Sequence, residues 1–479
     1  MRRIRGEHLP ALAFALARTA FCLYRAAHQS IVLDEAYTYN RFLSGSWADV
    51  YWVYKTNNHV LYSILAKLSI HLFGLSELAI RLPSVIAGFF LIYGAFRVLE
   101  PAVSRPVRWL AILAIGLHPL MLDFSVAARG YGLSIALLVW AMYFAMRQGH
   151  TNENHALAGT LAGLAVSANL AISPAAIGLI LAIVLLGPGP VRSRLTALAM
   201  ATATFQAVVI TINFGALRSA TLQDFSTGFG FADWHESVRD LVHYSIHAVH
   251  SSGIFGTYRA ETVISFWLLP AILTLCVAAC FLNTRFLKTR LLNNRCEPAF
   301  RLLPAVMLFV SLAVTVALHY LLGLNYPEDR LGLYLLLLFG LTWAIAADSV
   351  TNVWIRRAQA AMAVLLVAQF TTQLDAHSFA IWKYDMETRN VALRIKDACQ
   401  GRPDGSMSVG VTWLHQPAME FYRVALGIHA LQPIEWPKQT EFSGHDFYVF
   451  NDPDTQQMES QGIRVLFADR RAGIALGTR

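Results

Sequence analysis

Asp34 and Glu35 stand side by side in the run DEAYTYN, directly after an apolar stretch that ends near residue 27. A carboxylate pair at the edge of such a stretch is costly unless it is solvated, paired or bound to a cation. One role is a helix start, with Asp34 as the cap and Glu35 favouring the helix dipole. The other is chemistry, because a carboxylate can take the proton of an acceptor group as a new bond forms. Farther on, NNHVLYS sets His59 beside two amides, and Lys55 and Asn58 are further groups able to touch a substrate. HPLMLDFSVAARGYGL puts Arg129 at the lip of an apolar stretch, with Tyr131 behind it and Asp123 ahead. Arg330 follows NYPED at the lip of another. An Arg at such a place can snorkel to the surface, or its planar fork can hold a phosphate. His243, His247 and His250 recur at i, i+4 and i+7 and so share one helix face. A wet amphipathic helix accounts for them more simply than a metal site.

The elements that carry these residues are set by lipid. The 479 residues are 56% hydrophobic and 14% charged, with mean hydropathy +0.47. A soluble domain carries about 25% charged residues. Apolar windows predict about eleven spans, near 9–27, 80–97, 109–122, 130–146, 156–172, 174–188, 195–214, 262–284, 302–323, 331–349 and 357–374. The start MRRIRGEH is basic, but the apolar stretch behind it is long enough to span, so no cleaved leader is expected. With the N-terminus in the cytoplasm, Lys and Arg are more than three times as dense in the inner segments as in the outer ones before the tail. The net charge of +8 is therefore a topology signal and excludes a nucleic-acid partner. Five cysteines without CxxC or Cys/His spacing exclude a zinc-finger reading and a disulfide framework.

An odd number of spans leaves residues 375–479 on the outer face. This tail has 11 Lys/Arg and 13 Asp/Glu, with β-like runs at 407–411, 447–450 and 463–468 around the helix-like QPAMEFYRVA. The expected fold class is an all-α polytopic membrane domain, 1–374, with a small α/β domain at 375–479. The long outer loops 28–81 and 215–261 suit helices lying in the interface, and Tyr and Trp are dense in the first of them. The candidate residues Asp34, His59, Arg129 and Arg330 all fall on that outer side.

DEAYTYN after the first span, then NNHVLYSILAKL, then SELAIRLPSVIAG, then ARGYGL at the fourth span resemble the GT-C glycosyltransferases. The bacterial branch near the protein O-mannosyltransferases and the lipid A aminoarabinose transferase is the nearest in pattern. The likeness covers residues 30–140 well, and PEDRLGLYLLLLF resembles the family's late Arg-containing loop. The resemblance implies a polyprenyl-phosphate sugar donor, transfer at the outer face of a bacterial inner membrane, and inversion at the anomeric carbon. The acceptor is a lipid, glycan or protein. Asp34 matches the family's essential acid and Glu35 the acid beside it; together they are the catalytic candidates. His59 lies where the family keeps a polar or basic residue near the donor phosphate, and Arg129 and Tyr131 match its Arg-x-Tyr segment. With Arg330, these form the expected phosphate-binding set. Many relatives carry an acid two positions before that Arg, where this chain has Ala127. A divalent metal ion thus has only Asp34 and Glu35 to hold it, and weak or absent metal dependence is expected.

The rival readings are a transporter or flippase of lipid-linked glycans and a GT-C-like scaffold without activity. A transporter would carry ionisable groups in mid-span, broken helices and repeats. Here only Arg18 sits inside a span and no repeat is visible, which favours the enzyme.

Overall fold

The computed structural model describes residues 2–53, 55, 57–147, 151–220, 230–248, 261, 263–268, 271, 301–437, 443–451 and 455–479. A helix falls on every expected span except 262–284, most of which lies outside the described residues. Four described helices are long and apolar enough, by length and composition, to cross a membrane: Glu77–Leu99, Val191–Ser219, Leu303–Leu322 and Asp329–Ser349. Val60–Phe73, Gly130–Met146 and Leu170–Leu186 are shorter apolar helices.

Local chemistry starts and ends these helices where the sequence provides it. Ser76 Oγ accepts the Ala79 amide at the head of Glu77–Leu99, and Glu77 adds negative charge to that first turn. Thr151 caps Asn152–Ala168 through the Asn154 amide, and Asn352 caps Val353–Thr372 through Trp354 and Ile355. Gly323, at φ +66°, closes Leu303–Leu322 in the left-handed conformation that suits glycine. Helices 152–168 and 191–219 approach closely through Gly159 and Gly163. A Cβ on Gly159 would stand 2.1 Å from the Ala201 carbonyl oxygen, so this small-xxx-small face admits no side chain.

The chain forms two compact units. The first comprises Met1–Cys22, Tyr54–Tyr62 and Pro83–Leu374, and the second comprises Leu23–Val53, Ser63–Leu82 and Asp375–Arg479. In the first, Arg18 is buried and donates to the carbonyls of Gly116 and Met121 and to Ser125 Oγ, at 2.7, 3.0 and 2.8 Å. A charge in an apolar helix is tolerated when carbonyls and hydroxyls satisfy it in this way. Arg18 thereby pins the 116–125 stretch rather than marking a transport path.

Residues 375–479 do not make the second unit alone, because much of the segment 28–81 belongs with them. A four-stranded sheet has the order β1 (Val409–Val411), β2 (Phe447–Asn451), β4 (Ile474–Thr478), β3 (Arg464–Asp469). β1 pairs parallel to β2, and β4 pairs antiparallel to both β2 and β3. Tyr448, Phe450, Met458, Ile463 and Ala475 form its core. Helix Gln416–Ala425 coincides with the run QPAMEFYRVA. Strand β4 was not expected, because GIALGT offers only a short apolar run between glycines. From the segment 28–81 come the short helices Leu33–Thr38 and Trp47–Trp52 and, from Ser63 onward, the helix Val60–Phe73. Lys67 ties that loop together by donating to the carbonyls of Gly45 and Ser46 at 2.6 and 3.0 Å.

Candidate active site

In the first unit, several helix ends converge on a cavity of about 420 Å³. Its polar walls include Asn57, Asn58, His59, Arg129, Tyr131, Asn169, Asn213, Glu328 and Arg330, and its apolar walls include Val60, Leu170, Leu217, Leu318, Leu324 and Leu331. The structure thus brings together His59, Arg129, Tyr131, Arg330 and Asn58, which are far apart in sequence. Lys55 is exposed and Asp123 is buried in the short helix Pro119–Asp123, and neither lines this cavity.

Arg129 is 1% exposed. Its backbone is extended where helix Gly130–Met146 begins, and its guanidinium donates to Asn57 Oδ1 at 3.0 Å. Gly130 is required by space: a Cβ there would stand 1.7 Å from the Ala168 carbonyl oxygen. That close approach sets Arg129 against the turn that carries Asn169. Tyr131 presents its ring edge-on to His59 at 5.3 Å. His59 is buried, and its Nε2 has no hydrogen-bond partner. Burial first, and then the Arg129 and Arg330 cations, hold its pKa well below the ordinary imidazole value, so the ring is neutral.

Asn169 was not singled out in the sequence. Its Oδ1 accepts the Ala171 amide at 2.9 Å, while its buried Nδ2 has no partner. Arg129, Arg330 (paired with Asp329 at 3.2 Å) and two unmet polar nitrogens thus line one small space together with Glu328.

Arg330 is carried on a strained turn. Asp329 has φ +32°, uncommon for a residue with a side chain. Its amide donates to Asp240 Oδ2 at 2.6 Å, and Ser237 Oγ donates to the Pro327 carbonyl. Both partners come from helix Trp234–Ile246, so that helix is the bed on which Arg330 sits. His243 and His247 lie toward the C-terminal end of the same helix, and His250 lies outside the described residues.

Asp34 and Glu35 belong to the second unit. Asp34 is not the helix cap: Leu33–Thr38 starts one residue earlier. The Leu33 amide donates to Asp385 Oδ2 at 2.6 Å, and Glu35 Oε2 accepts the Val32 amide at 3.1 Å. Glu35 is also joined to Arg81 by contacts of 2.6, 3.0 and 3.2 Å, and both side chains are fully buried. The remaining Arg81 donors reach the carbonyls of Ala26, Gln29 and Ser30. Asp34 is buried beside this pair, and its own carbonyl accepts Thr38 Oγ1. Asp385 comes from the tail. Burial, then the Glu35 and Asp34 charges, push its pKa well above the carboxylate range, against the pull of the Leu33 amide. These residues do not fit a divalent-cation site, because both Glu35 oxygens are committed to Arg81 and Val32. Arg81, which stands in SELAIRLPSVIAG, and Asp385 were not singled out as site residues in the sequence.

No protein-family model and no curated protein matches the sequence. Solved structures do. ArnT from Cupriavidus metallidurans bound to undecaprenyl phosphate is 14% identical over 97% of this chain and 97% of its own, with a TM-score of 0.54. The apo form of ArnT is 12% identical over 99% and 98%, with a TM-score of 0.56. The mycobacterial arabinofuranosyltransferase AftD is 15% identical over 98% of this chain and 39% of its own, with a TM-score of 0.50. All are GT-C glycosyltransferases. This chain has the GT-C fold.

Proposed function

We propose that this GT-C protein is a polyprenyl-phosphate-dependent glycosyltransferase. It moves a sugar from a lipid-phosphate carrier to a lipid, glycan or protein acceptor at the outer face of a bacterial inner membrane, with inversion. The observation that carries the reading is the cavity of the first unit. Arg129, Arg330, neutral His59 and Asn169 point to an anion, while leucines and Val60 line the same space. A phosphate on an apolar chain combines those two demands, and the fold is shared with a protein solved with undecaprenyl phosphate.

In this reading Asp34 is the general base and takes the acceptor proton as the glycosidic bond forms. The carrier phosphate leaves with its negative charge restored. Arg129 and Arg330 stabilise that charge, and His59 and Asn169 donate hydrogen bonds from Nε2 and Nδ2. Tyr131 holds the His59 ring. Lys55, Asn58 and Asp123 are proposed only as weak substrate contacts. Glu35 holds rather than reacts: paired to Arg81, it fixes the short helix that presents Asp34. A phosphate already leaves readily, so no covalent enzyme intermediate is needed.

The test is transfer by the purified protein from a panel of polyprenyl-phosphate sugars. Asp34→Asn should abolish transfer and leave donor binding and folding largely intact, since general base catalysis is worth about 10²–10⁴-fold. An Asp34→Asn protein that turns over normally would sink the mechanism.

A further inference from the structure

We infer that His243, His247 and Glu261 form a site for one divalent transition-metal ion of zinc-like preference, separate from the donor cavity. Nδ1 of His243 lies 2.8 Å from Glu261 Oε1, and Nδ1 of His247 meets the same oxygen. The three ligand atoms all lie within 4.8 Å of one another. Among the described residues, no other trio of His, Cys, Asp or Glu converges in this way. None of the three lines the cavity around Arg129.

Two imidazole nitrogens and one carboxylate oxygen are a set that zinc accepts, with a fourth position left for water. Imidazole selects zinc, copper or nickel over magnesium and calcium. Exposure divides the ligands usefully. The side chains of His247 and Glu261 are 3% and 6% exposed, and that of His243 is 47% exposed. Two ligands are therefore sealed from competing water, and the third gives an ion its way in. The backbone prearranges the site: the His247 amide bonds the His243 carbonyl at 2.7 Å, so one helical turn presents both rings. Ser265 Oγ donates to the Glu261 carbonyl at 2.7 Å and steadies the turn that carries the carboxylate.

The three histidines on one face were the sequence signal, and Glu261 takes the third place that spacing alone gave to His250. An ion here would tie the C-terminal end of helix Trp234–Ile246 to Glu261. The same helix holds the Pro327–Asp329 turn through Ser237 and Asp240. The ion thus acts as a staple for the bed under Arg330, away from the reacting atoms.

The test uses the full-length protein in detergent, stripped with a chelator, dialysed, and titrated with zinc against a competing chromophoric chelator. Cobalt(II) provides a visible spectrum of the ligand set. One tightly bound equivalent is expected, with visible cobalt absorption and a raised thermal midpoint. His243→Ala and Glu261→Gln should each weaken binding by more than the roughly 10–100-fold that loss of an outer-shell partner costs. His243 is half-exposed, so its loss leaves the core intact and decides the matter should Glu261→Gln fail to fold. A wild-type protein without stoichiometric zinc, or a His243→Ala protein that binds as tightly, would overturn the assignment. Metal content is read independently of sugar transfer.

Discussion

Replacing Arg81 by Met should destabilise the second unit severely, and the structure sets the size. Arg81 and Glu35 are both fully buried and meet in three contacts, and the other Arg81 donors satisfy three main-chain carbonyls. Removing one partner of such a pair leaves an uncompensated buried charge, at a cost of about 3–5 kcal/mol. The orphaned carbonyls add to that. Glu35→Leu should cost a similar amount, because it strands the guanidinium. The double variant, with both charges gone, should be much less destabilised than the sum of the singles, with a coupling of about 3 kcal/mol. The assay is the thermal midpoint in detergent at fixed scan rate, read by tryptophan fluorescence, for the wild type, the two singles and the double. Asp34→Asn belongs in the same series and should not move the midpoint appreciably. Singles that melt with the wild type, or a double that equals their sum, would refute the claim that Glu35 is a holding residue.

Three further outcomes are expected. Arg129→Ala should weaken binding of a polyprenyl-phosphate sugar and lower turnover together, unlike Asp34→Asn, and Arg129→Lys should recover little because Lys lacks the planar fork; equilibrium donor binding and kcat separate the cases. Gly130→Ala should cost donor binding or folding, since its Cβ would stand 1.7 Å from the Ala168 oxygen, and normal binding with a normal melting profile would contradict it. His415 is buried, and burial lowers its pKa to about 4. The unfolded imidazole therefore protonates first, so its contribution to stability is present above pH 6.5 and is lost as pH falls toward 4. At about 1.4 kcal/mol per unit the loss is about 3 kcal/mol, and His415→Asn should flatten the fall in melting midpoint between pH 6.5 and 4.

What the sequence disclosed and what it hid divide along a physical line. Helices on the apolar stretches were legible because lipid forces every backbone group to bond within its own segment. A 20-residue apolar run such as Leu303–Leu322 has few alternatives to a helix. Arg129 drew notice in ARGYGL because an Arg at the lip of a span can hold a phosphate, and Gly130 beside it is a close-approach residue. Asn169 was not legible, because an Asn after a helix is ordinarily a cap. Only the unmet Nδ2 inside the cavity distinguishes it.

The partners of the segment that begins at Leu33 were hidden for a different reason. Asp385 meets the Leu33 amide across a separation of 352 residues, and Arg81 meets Glu35 across 46. Neither contact leaves a periodicity in the chain, and the motifs DEAYTYN and SELAIRLPSVIAG do not say that they meet. The pairing also separates two residues that spacing left alike. Asp34 and Glu35 look alike in DEAYTYN, yet only one of them can face an acceptor, since neighbours on a helix point about 100° apart. Arg81 takes Glu35. The fold therefore commits Glu35 to a holding role, which is why the base proposed above is Asp34 rather than its neighbour.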